Sequence, residues 1–450
     1  MTGLAEPVSD GVRPAPAAPA SVTATPSAAA ADPERRAFFF QFGRQAVSAV
    51  GQVAGMADAA SRTASAVANE LLGRDEPASD PARFTRSGAT TDPVVSTATP
   101  AAEDAFRSAY RLAGDELVLL DQRTLPDSLD EVVARRGSDV AYYLRLGVAR
   151  GGPLMAQVAA YGLALTSAER ADQPAHQRQV ELRRTAQALA EARPSARLPA
   201  WAMARMQDAS TRVPESNPGA DVAAALRTEA DAIAADIRDW QAAIAAGIVS
   251  VLPEPAGRPL TVLLHGSQGA LAGGLVGSGI TALGQLRDAG REPRIFLTEG
   301  RPFMDGARLA SWELRQAGLA HQLVPDAAAA WLLAHETVDA VLLSAEWTAA
   351  NGDVGALVGS RSVAQLASAS PSARPRPLVI VSGLSATRDP DSPDGGAIPV
   401  ELRPARDLSA YLAGVPVRSS DALVPASDVI PATAIDLIVT ERGVSDPGTT

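Results

Sequence analysis

The stretch VLLSAEWTAANGDV, Val341 to Val354, is an apolar run that meets an acidic residue, Glu346, and then a small-residue turn, Ala349-Ala350-Asn351-Gly352-Asp353. A short continuous apolar run reads as a strand buried on both faces. A carboxylate just beyond such a strand sits where open α/β sheets bind ligands, past the carboxyl ends of the strands. Similar runs recur outward from it, at Leu260 to Leu264, Arg294 to Leu297, Val338 to Leu343 and Leu378 to Val381. Between them lie Ala-rich amphipathic stretches such as Leu271 to Ala289 and Gly306 to Ala317. Strands alternating with helices predict an α/β fold with a parallel sheet over residues 259–445. Four loops then face the ligand: His265 to Gly269, Thr298 to Asp305, Ser344 to Asp353, and Ser382 to Thr387.

Toward the N-terminus the pattern changes. Residues 103–246 are dominated by helical periodicity, clearest at Gln177 to Ala192 and Ala220 to Ala245, with one β signal at Leu117 to Leu120. This predicts a helical domain in front of the sheet. Residues 74–102 return to Pro, Asp, Ser and Thr and read as a linker. Residues 33–73 read as an isolated helix, with Asp32 as N-cap, Pro33 in the first turn and Gly73 as the stop. Phe38, Phe42, Val47 and Val50 give that helix one apolar side, which suits docking on its own protein or on a partner chain; the few cations weaken a membrane-surface reading. Residues 1–32, almost all Ala, Pro, Ser and Thr, cannot bury enough surface to fold and are expected to be a disordered tail. Arg35-Arg36-Ala37-Phe38-Phe39-Phe40 imitates a twin-arginine export signal, but Arg44, Gln45, Gln52 and Asp58 interrupt the apolar region such a signal needs. A cytoplasmic protein is the expectation.

Composition excludes several chemistries. The 450 residues contain no cysteine, which removes disulfides, thiolate zinc sites and a cysteine nucleophile. All 40 cationic residues are arginine, so a lysine Schiff base is excluded. A net charge of -11 argues against nucleic-acid binding, which needs a basic surface. No run of about 18 apolar residues predicts a transmembrane helix. With 46% hydrophobic and only 4% aromatic residues, the core must be built from Ala, Val and Leu.

The four loops carry the polar chemistry. In LLHGSQGALAGGLVGSG, Leu263 to Gly279, the glycines do not match G-x-G-x-x-G, and no acidic residue closes the next strand, where Thr298 stands. No dinucleotide cofactor is therefore expected; no metal site is expected either. Gly266, Gly269 and the helix start after them can turn backbone N–H groups toward an anion. His265 either polarises a ligand oxygen or is satisfied by backbone under the loop. In the second loop Arg301 suits an oxyanion, or else pairs internally with Glu299 or Asp305. Glu346, partly desolvated at a strand end, would have its pKa raised toward the range where it can both give and take a proton. Asn351 and Asp353 can bond a sugar hydroxyl, or Asp353 can cap the next helix.

Taken in order, seven blocks resemble a known family. They are LLDQRTLP (Leu119 to Pro126), VARGGPLMAQVAAYGLAL (Val148 to Leu165), ARPSARLPAWAMARM (Ala192 to Met206), HGSQGALA (His265 to Ala272), EGRPFMDGARLASWEL (Glu299 to Leu314), SAEWTAANGDV (Ser344 to Val354) and PASDVIPATAIDLIVTERG (Pro425 to Gly443). The sequence resembles methylthioribose-1-phosphate isomerase and its relatives, ribose-1,5-bisphosphate isomerase and the regulatory subunits of translation initiation factor 2B. The resemblance implies a helical domain followed by a Rossmann-like domain, a cleft between them for a small phosphorylated sugar, no cofactor, and a homodimer. It implies that Arg150, Gly151 and Gly152 hold substrate and that Arg193 is a second substrate arginine. Two arginines with flanking amides are what a phosphate dianion asks for.

The chemical positions depart from the family pattern. Gly266 stands where the isomerase has a cysteine, Glu346 where it has an aspartate, Asp305 where it has a glutamine, and Ala356-Leu357 where it has Asn-Lys. Ser267, next to Gly266, can supply a weak polar contact. Two functions follow. One is an aldose–ketose isomerase on a ribose 1-phosphate with Glu346 as proton carrier. The other is a non-catalytic initiation-factor-like sensor or assembly protein that binds a phosphorylated sugar or nucleotide.

Overall fold

The apolar runs form a seven-stranded sheet in the order β16-β15-β10-β7-β4-β5-β6. Its strands are β4 (Thr261–Leu264), β5 (Arg294–Thr298), β6 (His321–Val324), β7 (Ala340–Ser344), β10 (Leu378–Ser382), β15 (Leu437–Thr440) and β16 (Gly443–Ser445). All neighbours are parallel except the edge strand β16, which returns antiparallel on β15. Numbered among themselves, the six parallel strands lie in the doubly wound order 3-2-1-4-5-6. This is a computed structural model; it describes residues 108–369, 375–411 and 421–448, which all belong to one compact unit, Thr97–Thr450. The expected tail (1–32), helix (33–73) and linker (74–102) lie outside the described residues.

The strands are apolar without alternation because both faces are covered. Val262, Leu264, Ile295, Leu297, Leu342 and Ile380 point into one core shared with the helical region. Their neighbours Leu263, Phe296, Val341, Leu343, Val379 and Val381 point into a second core against α9 (Ala329–His335) and α10 (Ser360–Ser368). A parallel sheet buried on two sides needs that pattern.

Before the sheet come β1 (Tyr110–Ala113), β2 (Glu116–Leu120) and β3 (Glu131–Ala134), a small antiparallel sheet, then five helices. These are α1 (Gly137–Leu146), α2 (Gly152–Glu169), α3 (Ala175–Ala190), α4 (Leu198–Thr211) and α5 (Gly219–Val251). Helix α2 is buried almost all round, which explains its nearly unbroken apolar sequence; Ala156, Ala159, Ala160 and Gly162 let its neighbours come close. No helix among the described residues is long and apolar enough to cross a membrane.

Two expected helices are broken, each for a local reason. The stretch from Leu271 splits into α6 (Ala270–Gly273) and α7 (Ser278–Asp288), because Gly274 takes φ 97° and Gly277 passes against Gly269. A Cβ on Gly277 would lie 2.1 Å from the Gly269 carbonyl carbon. The stretch from Gly306 opens as a wide π-type turn, Gly306–Ala310, before α8 (Ser311–Gln316). A further small sheet of β8 (Trp347–Ala349), β9 (Val354–Leu357), β11 (Arg388–Asp389) and β14 (Ser427–Ile430) grows out of the loops above the strand ends. Through β9 and β14 it builds one wall of a cleft, and the ribbon β12 (Leu402–Arg403) and β13 (Val424–Pro425) leads into β14.

Candidate functional site

Glu346 lies two residues beyond β7, and three kinds of bond fix it. Its N–H donates to the Gly355 carbonyl at 2.9 Å, its carbonyl accepts from the Arg197 N–H at 3.2 Å, and its Oε1 accepts from the Gly152 N–H at 3.1 Å. The residue as a whole is half-buried, yet Oε2 is sealed from solvent and has no hydrogen-bond partner. Burial pushes this carboxyl above its ordinary value, and the Gly152 amide and the Arg193 and Arg150 charges only partly offset that. Gly152 has to be glycine here. A Cβ would sit 2.5 Å from Glu346 Oε2.

Arg150 and Arg193 flank this carboxylate, as the sequence blocks suggest, and both are already paired. Arg150 sends Nε and Nη2 to Asp305 Oδ2 at 3.0 and 2.9 Å and stacks 4.2 Å from the Phe303 ring centroid. Arg193 Nε donates to Glu401 Oε2 at 2.9 Å, where Ser195 Oγ also donates at 3.1 Å. Arg403 Nη1 reaches Glu401 Oε1 at 3.1 Å. Burial lowers the Arg193 guanidinium pKa, with Arg150 adding to the effect. Burial alone would raise Glu401, but the charges and bonds of Arg193 and Arg403 hold it below its usual value. Between these pairs opens a cleft lined also by Gln122, Gly266, Ser267, Ala356 and Leu357. Gln122 Oε1 and Asp305 Oδ1 are buried there without partners. The arrangement can hold a ligand that carries both acceptors for guanidinium groups and donors for orphaned oxygens.

Several expected contacts are not made. His265 is buried under its loop, with Nδ1 2.7 Å from Thr298 Oγ1 and Nε2 3.1 Å from the Val358 carbonyl. A carbonyl only accepts, so Nε2 carries the proton, and burial keeps the imidazole neutral by lowering its pKa. It is a satisfied core histidine rather than a ligand contact. The amides after Gly269 do not await an anion, because the Glu313 carboxylate accepts from the Leu271 N–H at 2.8 Å and approaches Ser267 Oγ at 3.4 Å. Arg301 lies away from the cleft lining and donates Nη2 to the Leu408 carbonyl at 2.7 Å; Asp326, not Glu299 or Asp305, holds its loop through the Gly300 and Arg301 amides. Asn351 and Asp353 form a turn of their own outside the cleft lining. Asp353 accepts from the Gly395 and Ala432 amides at 2.9 and 2.8 Å, and Asn351 bonds back to Asp353.

Sequence reasoning missed Glu401, Ser195, Ser344, Ser427 and Gln122 as site residues. Gln122, Ser195, Ser344 and Ser427 lie inside quoted blocks and were within reach. Glu401 has no motif. Only the fold of the β12–β13 ribbon brings it to Arg193, 208 residues away in sequence.

Comparison with known proteins bears on the family and the fold. The family described as "Initiation factor 2 subunit family" matches residues 148–447. A probable bifunctional methylthioribose-1-phosphate isomerase/methylthioribulose-1-phosphate dehydratase of Nocardia farcinica is 36% identical over 337 residues, which are 73% of this chain and 57% of that longer protein. The methylthioribose-1-phosphate isomerase of Chloroflexus aurantiacus is 35% identical over 339 residues, covering 74% of this chain and 93% of the relative. Among solved structures, the 5-methylthioribose 1-phosphate isomerase of Pyrococcus horikoshii superposes with a TM-score of 0.67 at 24% identity, over 76% of this chain and 94% of that one, and so shares the fold. By the extent of the family match and its 35–36% identical relatives, the chain belongs to the initiation factor 2 subunit family.

Proposed function

We propose that the cleft binds a sugar 1-phosphate and that the protein is an aldose–ketose isomerase in which Glu346 carries the proton. The observation that carries this reading is the Glu346 carboxyl, held by the Gly152 amide between Arg150 and Arg193, with one oxygen sealed and unpartnered and its pKa raised. In the step, the sugar ring opens as a proton reaches the ring oxygen. The C2 proton passes to Glu346 and returns to C1, while the C2 hydroxyl gives up its own proton, so substrate and product have the same composition. The arginines hold the phosphate and no cofactor takes part. The name shared by the Nocardia and Chloroflexus relatives supports the same substrate class. The reading takes residues 103–246 as a helical substrate-cleft domain and 259–445 as a Rossmann-like domain, in a cytoplasmic homodimer; sedimentation equilibrium should give twice the chain mass.

A second reading has its own observation. Gly266 leaves no thiol in the cleft, and Asp305 and Glu401 already neutralise both arginines. That favours a non-catalytic relative that binds a phosphorylated sugar or nucleotide as a sensor or assembly protein. Incubation with methylthioribose 1-phosphate followed by NMR separates the two. Turnover to the ketose, lowered on the order of 10²- to 10⁴-fold by Glu346→Gln, supports the isomerase. Thermal stabilisation by the ligand without turnover leaves only the second reading.

A further inference from the structure

Behind Glu346 the cleft continues into a small rear chamber. Its walls are the loops after β4, β7 and β10, Gln241 on α5, and Gly277 and Ser278 at the start of α7. Strand order reverses here, since β4 lies between β5 and β7, and open α/β sheets take ligands at that point. The front compartment and the chamber share Gly151, Ser267, Ala272, Ser344 and Glu346, so one molecule can occupy both.

The two compartments differ in chemistry. Arg150, Arg193 and Asp305 line only the front; among the described residues, the sole ionisable side chain lining the chamber is Glu346. A phosphate placed there would meet a carboxylate and no cation, which disfavours it. What the chamber offers is uncharged and polar. Ser267, Ser278, Ser344 and Ser382 line it, with the Ser278 and Ser382 hydroxyls 3.4 Å apart. Gln241 and Gln268, 6% and 3% exposed, each keep a buried Oε1 without a partner. The orientation of the Gln268 amide is fixed, because its Nε2 donates to the Leu342 carbonyl at 2.9 Å. A ligand end that carries an O–H can bond the serine hydroxyls and the Gln241 side chain that line this wall. A thioether end carries no O–H.

We infer that the rear chamber is the subsite for an uncharged, hydroxyl-bearing end of the ligand, so that the cleft takes sugar 1-phosphates with a free primary hydroxyl in preference to 5-alkylthio sugars. The inference rests on the reading of the cleft as a sugar-phosphate site. The phosphate then lies in front with the arginines, C1 and C2 pass Glu346, and C5 with its hydroxyl enters the chamber. A site built to bond a hydroxyl rejects the analogue that lacks it far more strongly than an apolar pocket separates two alkyl groups.

Calorimetric titration of the full chain with ribose 1-phosphate and with methylthioribose 1-phosphate tests this. Ribose 1-phosphate is expected to bind about tenfold more tightly or better. Gln241→Met, which keeps the side-chain volume, and Ser278→Ala should each move that ratio toward one. Equal or tighter binding of methylthioribose 1-phosphate overturns the chamber assignment and leaves the sugar-phosphate cleft standing. A ratio that neither variant moves overturns it as well. If neither sugar phosphate binds, the assignment and the proposed function fall together.

Discussion

At the scale of single residues, the cleft settles its charges pair by pair. Arg193 and Glu401 are both buried, and their 2.9 Å contact is what makes the guanidinium tolerable there. Removing one member of a buried pair leaves the other uncompensated, which typically costs about 3–5 kcal/mol. Glu401→Ala should therefore lower the urea stability by that much, and the apolar double replacement Arg193→Met with Glu401→Leu should recover most of the loss. An unchanged midpoint in Glu401→Ala would mean that solvent already screens the pair. Arg193 was legible from its sequence block, and so was Glu346 from its place at a strand end. Glu401 was not, because a lone acid in a Pro-rich loop gives no periodicity and no spacing to read.

At the scale of elements, the turn between β4 and α7 depends on a carboxylate from α8. Burial pushes the Glu313 carboxyl up to about 7, from an ordinary 4.5, against the opposing bonds from Leu271, Ser267 and Ala270. A carboxyl whose folded pKa lies above its unfolded one binds its proton more tightly when folded. The resulting stability is complete below about 4.5 and is lost as pH rises through about 7, on the order of 3 kcal/mol in all. Measured against Glu313→Gln, the wild-type chain should lose urea stability steadily across that window; a constant difference between the two would rule the shift out. The elements themselves were readable where burial on both faces wrote a continuous apolar run, as in β4, β5, β7 and β10. Strand β6 was not, because as a sheet edge it carries the exposed Gln322 and Leu323. The two- to four-residue strands β8, β9, β11 and β14 are held by register with each other rather than by any pattern of their own.

At the scale of the molecule, the helices before Leu252 and the sheet after Leu260 are joined by polar bonds as well as by a shared core. Arg308 Nη1 donates to the carbonyls of Gln122, Arg123 and Leu125 at 3.1, 3.2 and 2.7 Å, and its guanidinium stacks on Tyr411. Gln122 and Gln157 donate in the other direction, to the carbonyls of Leu271 and Gly273, both at 2.7 Å. Helices and sheet should therefore unfold as one. Trp201 and Trp240 report on the helices and Trp312 and Trp347 on the sheet region, so fluorescence and far-UV circular dichroism should trace a single coincident urea transition. Arg308→Ala should lower its midpoint by about 1–3 kcal/mol of stability. Two separated transitions in the wild-type chain would contradict the joint.

Glu346 belongs to that joint too, since its backbone bonds Arg197 and Gly355 and its side chain bonds the first amide of α2. A residue that fastens the halves together has a reason to persist that owes nothing to turnover. An acid at this position in a related chain is then evidence of shared architecture first. Activity has to be inferred from what stands opposite it, at the positions of Gly266, Asp305 and Leu357.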